Sequence, residues 1–393
     1  MEFVPQANQA SNITDKETFL DILNSKGAEI ILGETKSEDL VSSIHPSPTT
    51  MFGPRGACLF SEDGPLWVCD TGHHRLLGWK HRPKEDGQAA DWIIGQPDFY
   101  HEGQNAKSHV QANTLNVPTG ICSCGEGLVV ADAWNHRVLI WNKMPSKNNT
   151  NADIVLGQND FNQNQANQES STTAANKMHW PYGVMYFQDR LFVADTGNRR
   201  VLVWNKLPTE NGQPADYVLG QLSMNLRDEN GGEDPNSSSL RWPHALTIWN
   251  NNLVVTDAGN NRIMIWDGIP TTSNIPCNLV LGQKNFRDTE LNQSNYFPSS
   301  STLSMPYGVA IMNEWLISAD TANSRLLGWK DRPTMGQAAQ GLNGQSDFKI
   351  KNENRFYGNS NRNSLSWPYG ITVCKDTAVI SDSGNNRVLL WRS

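Results

Sequence analysis

The segment Leu191–Trp204 reads Leu-Phe-Val-Ala-Asp-Thr-Gly-Asn-Arg-Arg-Val-Leu-Val-Trp, and variants of it occur six times along the chain. Its aspartate recurs as Asp70, Asp132, Asp195, Asp257, Asp320 and Asp382, at steps of 62, 63, 62, 63 and 62 residues. Five residues after each stands an arginine (Arg75, Arg137, Arg200, Arg262, Arg325, Arg387), and four residues later a tryptophan (Trp79, Trp141, Trp204, Trp266, Trp329, Trp391). A period of this length marks stacked units, each of which buries its faces only against its neighbours. One body is therefore expected, instead of the two or three domains that 393 residues would otherwise suggest.

Short runs of Val, Ile, Leu and Trp flank an Asp-x-Gly-Asn-x-Arg turn, so each copy encodes a β-hairpin. Ahead of it a Pro-x-Gly pattern opens another apolar run, as in Pro181-Tyr182-Gly183-Val184 and Pro368-Tyr369-Gly370-Ile371. After the tryptophan a polar turn leads to a fourth run such as Tyr217-Val218-Leu219-Gly220-Gln221. Four strands per unit with no helical pattern predict an all-β, six-bladed propeller. The sixth copy lacks its fourth run, and an unmatched one stands at Ile30-Ile31-Leu32-Gly33-Glu34. Residues 29–34 are thus expected to supply the outer strand of the last blade and remove an exposed edge. The propeller would span 29–393. Residues 1–28 would form an N-terminal extension, flexible or with a short helix near Asp15–Asn24.

Charged residues make up 18% of the chain and apolar ones 37%, and the formal net charge is −8. Polar blocks rich in Asn, Gln, Ser and Gly alternate with the apolar runs, which reads as long loops on a folded scaffold. An acidic protein gives no support to nucleic-acid binding, which draws on Lys and Arg at phosphates. Residues 1–20 contain Glu2, Asp15, Lys16 and Glu17 and no signal-like apolar core. No window approaches a membrane span, so no membrane partner is expected. The six cysteines (Cys58, Cys69, Cys122, Cys124, Cys277, Cys374) are then expected to be reduced, and the expected compartment is the cytoplasm. Triplets such as Asn12-Ile13-Thr14 carry no glycosylation meaning there.

The Asp-x-Gly-Asn-x-Arg turn, the Pro-x-Gly opening and the six-fold spacing resemble the NHL-repeat family over residues 29–393. With its Val-Leu-Gly-Gln-x-Asp-Phe signature the chain is similar to stand-alone bacterial NHL proteins. The resemblance implies the propeller fold and leaves function open. The family includes protein-interaction platforms, RNA-binding domains and a zinc-dependent lyase. Some stand-alone members lie beside genes for uptake-hydrogenase maturation, which implies an accessory role in assembling such a metalloenzyme.

In an up-and-down blade the loop leading into the inner strand shares a face with the Asp-x-Gly-Asn-x-Arg turn. Six such lead-in loops, 34–53, 96–117, 158–180, 221–242, 283–305 and 345–367, are each about twenty residues long. Their formal charges are −2, −1, −1, −2, 0 and +2 in chain order, so the face is not basic. The variable residue of Pro-x-Gly is Arg55, Thr119, Tyr182, His244, Tyr307 or Tyr369. These six are expected to ring the channel mouth, where they would hold a small anionic ligand or a peptide side chain, or pack against neighbouring blades. The position before the proline holds Trp180, Trp242 and Trp367, with Gly53, Val117 and Met305 in the other copies. Tryptophans there are interface anchors or lids on the blade below. The repeated Asp, Arg and Trp, needed in every blade, read as structural.

Enzyme signatures are sparse. Only His244 stands at a channel slot, with His179 nearby and His74 and His136 in the turns, which is no obvious zinc trio. Cys122 and Cys124 share one strand face, and Cys58 occupies the slot equivalent to Cys122. Met185, Thr247, Phe187 and Trp249 fill the same slots elsewhere, which reads as core. There is no phosphate-binding glycine loop, His-Glu-x-x-His or Gly-x-Ser-x-Gly, and the acidic stretch 228–234 lacks calcium-loop spacing. The expectation is a non-catalytic platform for a protein partner, with no cofactor and no metal. The alternative is a channel-centred hydrolase or lyase on a small substrate, with His244 and the tyrosines as acid–base groups.

Overall fold

The computed structural model describes residues 18–33, 44–357 and 359–393. Six four-stranded antiparallel sheets follow one another around a ring. Blade 1 is built from Gly56–Leu59, Leu66–Asp70, Arg75–Trp79 and Trp92–Ile94, innermost strand first. Blades 2 to 5 repeat it over 118–156, 181–219, 243–281 and 306–343. Blade 6 takes Pro368–Cys374, Thr377–Asp382 and Arg387–Arg392 from the C-terminal end and Ile30–Leu32 from the N-terminal end. That last strand pairs Ile30 with Leu390, Ile31 with Leu389 and Leu32 with Val388, closing the ring as the sequence predicts.

Each apolar cluster draws on two adjacent blades. Leu253, Val255 and Trp266 of blade 4 pack with Phe192, Val201 and Val203 of blade 3. Leu32 and Leu390 of blade 6 pack with Leu66 and Val68 of blade 1. No blade is a folding unit by itself, which is why the unit must repeat.

The repeated polar residues hold the loop face together. In every blade the Arg Nε donates to the Asp carboxylate at 2.7–2.9 Å, both side chains being buried. The other carboxylate oxygen accepts a backbone N–H at the end of the blade's own lead-in loop, from Phe52, Asn116, His179, Arg241, Ser304 and Ser366 in turn. The rest of the guanidinium reaches loop carbonyls: Arg200 donates to Ala174 and Lys177 of its own lead-in loop and to Met224 of the next. The ion pair is thus internal to the turn, and the link between blades runs through these carbonyls. Such density of bonding is what a buried charge pair requires. The turn asparagine adds a reciprocal amide pair, Asn198 with Asn167, at 2.9 and 3.0 Å. The tryptophan of each repeat is buried and donates its indole N–H to the connection before the outer strand, as Trp204 does to the Gln213 carbonyl.

In blade 6 that acceptor is the carbonyl of Asn24. Residues 18–24 do more. Leu20 exchanges backbone hydrogen bonds with Gln340 and Leu342 on the outer edge of blade 5, and the Asn343 side chain accepts the N–H groups of Ile22 and Leu23. At the other junctions the following blade's polar turn makes this latch, with Gly212 donating to Val155 and Asn211 accepting from it. The short helix expected near Asp15–Asn24 is not formed over 18–24, where the backbone is spent on these inter-blade bonds; residues 15–17 lie outside the described residues. No helix among the described residues is long and apolar enough to cross a membrane.

Candidate functional site

The variable slot reaches the axis because the inner strand bulges there. Pro181 pairs with Asp195 and Gly183 with Ala194, which leaves Tyr182 out of the ladder. The same register shift falls at Tyr307 and Tyr369, and at the stretches holding Thr119 and His244. A bulge re-aims a side chain and sharpens the local twist. The glycine that follows is forced by close approach. A Cβ at Gly183 would stand 1.8 Å from the His244 carbonyl oxygen, and one at Gly370 would stand 2.2 Å from that of Arg55. At these positions the missing Cβ lets neighbouring inner strands draw together, whereas blade 4 carries Ala245 in the same place.

Five of the six slot residues converge on one stacked plug. His244 lies between Tyr182 and Tyr307, with ring centroids at 5.0 and 4.3 Å and interplanar angles under 20°. Tyr307 tilts onto Tyr369 at 4.5 Å, and the Arg55 guanidinium lies 4.8 Å from the Tyr369 ring and 6.0 Å from that of Tyr182. Thr119 does not join them. It is 1% exposed and donates its hydroxyl to the Tyr182 carbonyl at 2.9 Å, so it serves the junction with blade 3 and faces the channel beneath. Its side chain is too short to reach the axis, which the shared slot concealed.

The plug separates that channel from a cup of about 830 Å³ on the loop face, a volume typical of ligand sites. Trp180, Trp242 and Trp367 line the cup. Two further wall aromatics escaped the sequence reading, Phe52 and Trp134; the five are 40–49% exposed. Trp134 replaces the glycine of the repeated turn, a departure visible in the sequence as Asp132-Ala133-Trp134-Asn135. Trp180 and Trp367 have φ of +50° and +49°, as do Val117 and Met305 at similar values. Left-handed backbone at bulky residues is costly and persists only when its surroundings impose it. The preceding blade does so: His136 accepts the Trp180 N–H, His74 that of Val117 and Asn261 that of Met305.

Both turn histidines therefore accept through Nδ1 and are neutral structural links, with burial lowering the basicity of His74 and pushing His136 down to about 4. His179 sits 5.2 Å from His136, ring to ring. Among the described residues no three His, Cys, Asp or Glu side chains gather as a metal site would need. All six cysteines are free thiols, and Cys122 and Cys124 pack with the core between blades 2 and 3.

Burial, with a smaller contribution from the Arg55 charge, pushes His244 down to about 4 from its ordinary 6.5. Its Nδ1 bonds the Trp242 carbonyl at 3.0 Å. At neutral pH it is an uncharged and weak base. Between the unfolded value of 6.5 and about 4 the unfolded chain gains a proton that native His244 refuses, so stability falls as pH drops through that window. His244→Phe keeps a flat ring in the stack and removes this proton uptake. Its loss of melting temperature on acidification through the window should be smaller than that of the native chain; an equal loss would show that His244 titrates normally.

The NHL repeat family model matches residues 115–141. No curated protein matches the chain in sequence. Solved structures similar to it include hydrazine synthase from Kuenenia stuttgartiensis, at 11% identity and a TM-score of 0.50, covering 92% of this chain and 99% of the other. The WD40 β-propeller domain of Doa1 is similar at 9% identity and a TM-score of 0.48, with 93% and 97% covered. A streptogramin B lyase is similar at 13% identity and a TM-score of 0.41, with 89% and 95% covered. At 11% identity the likeness to hydrazine synthase concerns the fold alone. The chain is a six-bladed β-propeller, and the one repeat matched to the family model, with the same Asp, Arg and Trp recurring in all six blades, supports an NHL-repeat propeller.

Proposed function

We propose that this propeller is a non-catalytic binding platform that receives a protein partner on its long-loop face. The observation that carries the reading is the cup wall, where Phe52, Trp134, Trp180, Trp242 and Trp367 stay 40–49% exposed around one cavity. Large, rigid aromatics left half-solvated around a concave site are typical binding anchors. In support, the repeated Asp and Arg tie the lead-in loops down from beneath, so the wall is held ready before binding.

The test is affinity capture from native cells with tagged protein. The triple variant Trp180→Ala, Trp242→Ala, Trp367→Ala should lose the partner that the native chain retains while melting within a few degrees of it. Equal recovery by both proteins would defeat the reading. A narrower version makes the partner a metalloenzyme under assembly, such as a hydrogenase. Deleting the gene should then impair that enzyme, and normal enzyme activity would remove this version. The rival reading, a channel-centred hydrolase or lyase, would rely on His244, whose weak basicity counts against it. One strongly stabilising metabolite in a thermal-shift screen would revive it.

A further inference from the structure

We infer that the floor of the cup is a carboxylate-binding subsite anchored by Arg55, and that the bound segment is the C-terminal end of a partner chain carrying an apolar last residue. This rests on the platform reading and adds the chemistry of what is bound.

Charge is the first ground. The chain carries a formal −8, yet no Asp or Glu lines the cup among the described residues, whereas Arg55 and Arg199 both do. The second is the state of Arg55. Every repeated arginine is paired with a carboxylate at 2.7–2.9 Å. Arg55 has no carboxylate within ion-pair distance among the described residues and lies instead against the Tyr369 and Tyr182 rings. Rings hold a guanidinium in place without neutralising it.

Shape selects the source of the carboxylate. The plug makes the cup a blind pit on the propeller axis, with aromatic walls and a cation at its base. A chain end enters such a pit in a single pass and brings its own carboxylate. An internal loop must pass the mouth twice. The aromatic walls suit an apolar terminal side chain, and their low polarity keeps the charge attraction from being screened.

The test is calorimetric titration of the full chain with three probes: N-acetyl-phenylalanine, N-acetyl-phenylalaninamide and N-acetyl-aspartyl-phenylalaninamide. The first carries a terminal carboxylate, the second none, and the third one on a side chain. N-acetyl-phenylalanine should bind about tenfold or more tightly than either amide, and added salt should erode the preference. In Arg55→Gln the three should bind alike, with a melt within a few degrees of the native one, because Arg55 takes no part in the turn bonds and loses only its contacts with the Tyr369 and Tyr182 rings. Arg55→Lys should keep part of the preference. The inference fails if N-acetyl-phenylalanine shows no saturable binding, if the two amides match it, or if its advantage survives in Arg55→Gln. A partner lost by the tryptophan variant yet retained by Arg55→Gln would leave the platform standing and remove the subsite.

Discussion

A chain lacking residues 1–36 is expected to melt at least about 10 °C below the native protein, or to show no cooperative melt at all. Ile22, Leu23, Ile31 and Leu32 are all buried between blades. At about 1.5–3 kcal/mol for each such side chain, their burial approaches the whole net stability of a typical fold. The deletion also strips the outer strand from Arg387–Arg392, takes the Asn24 carbonyl from the Trp391 indole, and uncovers the edge of blade 5 where Leu20 pairs. An open strand edge recruits other chains, so the truncated protein should aggregate during sedimentation analysis. A circular permutant gives the control. Joining Ser393 through a Gly-Ser linker to residue 18, with new ends opened just before residue 44, restores every one of these contacts. It should melt close to the native chain. A truncated protein that melts normally, or a permutant no more stable than the truncation, would show that the ring does not depend on its amino-terminal strand.

Arg200→Met is expected to cost about 3–5 kcal/mol, although Arg200 lies far from either terminus and touches no ligand site. The substitution leaves the Asp195 carboxylate buried without its cation and frees the carbonyls of Ala174, Lys177 and Met224 together. Hydrogen exchange should rise in the loop 158–180 and in the start of the loop 221–242 more than in the other loops. Replacement of a buried ion pair by apolar residues of similar volume is often harmless. Here the arginine also anchors two loops, so the double variant Asp195→Asn, Arg200→Met should remain destabilised. A double variant as stable as the native chain, by chemical denaturation, would mean that the loops hold themselves.

The propeller, its blade count and its closure are legible in the chain because they follow from a local pattern. Asp, Arg and Trp recur at fixed separations, each separation is bridged by bonds within one hairpin or to the next loop, and six copies need one missing strand. The role of residues 18–24, left open in the sequence between a short helix and a flexible tail, is hidden for the complementary reason. Their backbone is committed to an edge more than three hundred positions away, which no local propensity encodes.

The slot residues divide along the same line. Reading one position across six repeats groups Arg55, Tyr182, His244, Tyr307 and Tyr369, and an inner-strand bulge aims the last four at the axis. Thr119 follows the other expectation for the slot and bonds to the neighbouring blade, since a slot specifies direction and not reach. Phe52 and Trp134 were missed because their positions are filled differently in the other copies. Repetition along the chain thus settles the architecture, whose bonds recur in every blade. The stacked plug, the cation without a carboxylate and the aromatic wall arise among side chains of different repeats, so they exist only once the ring has closed.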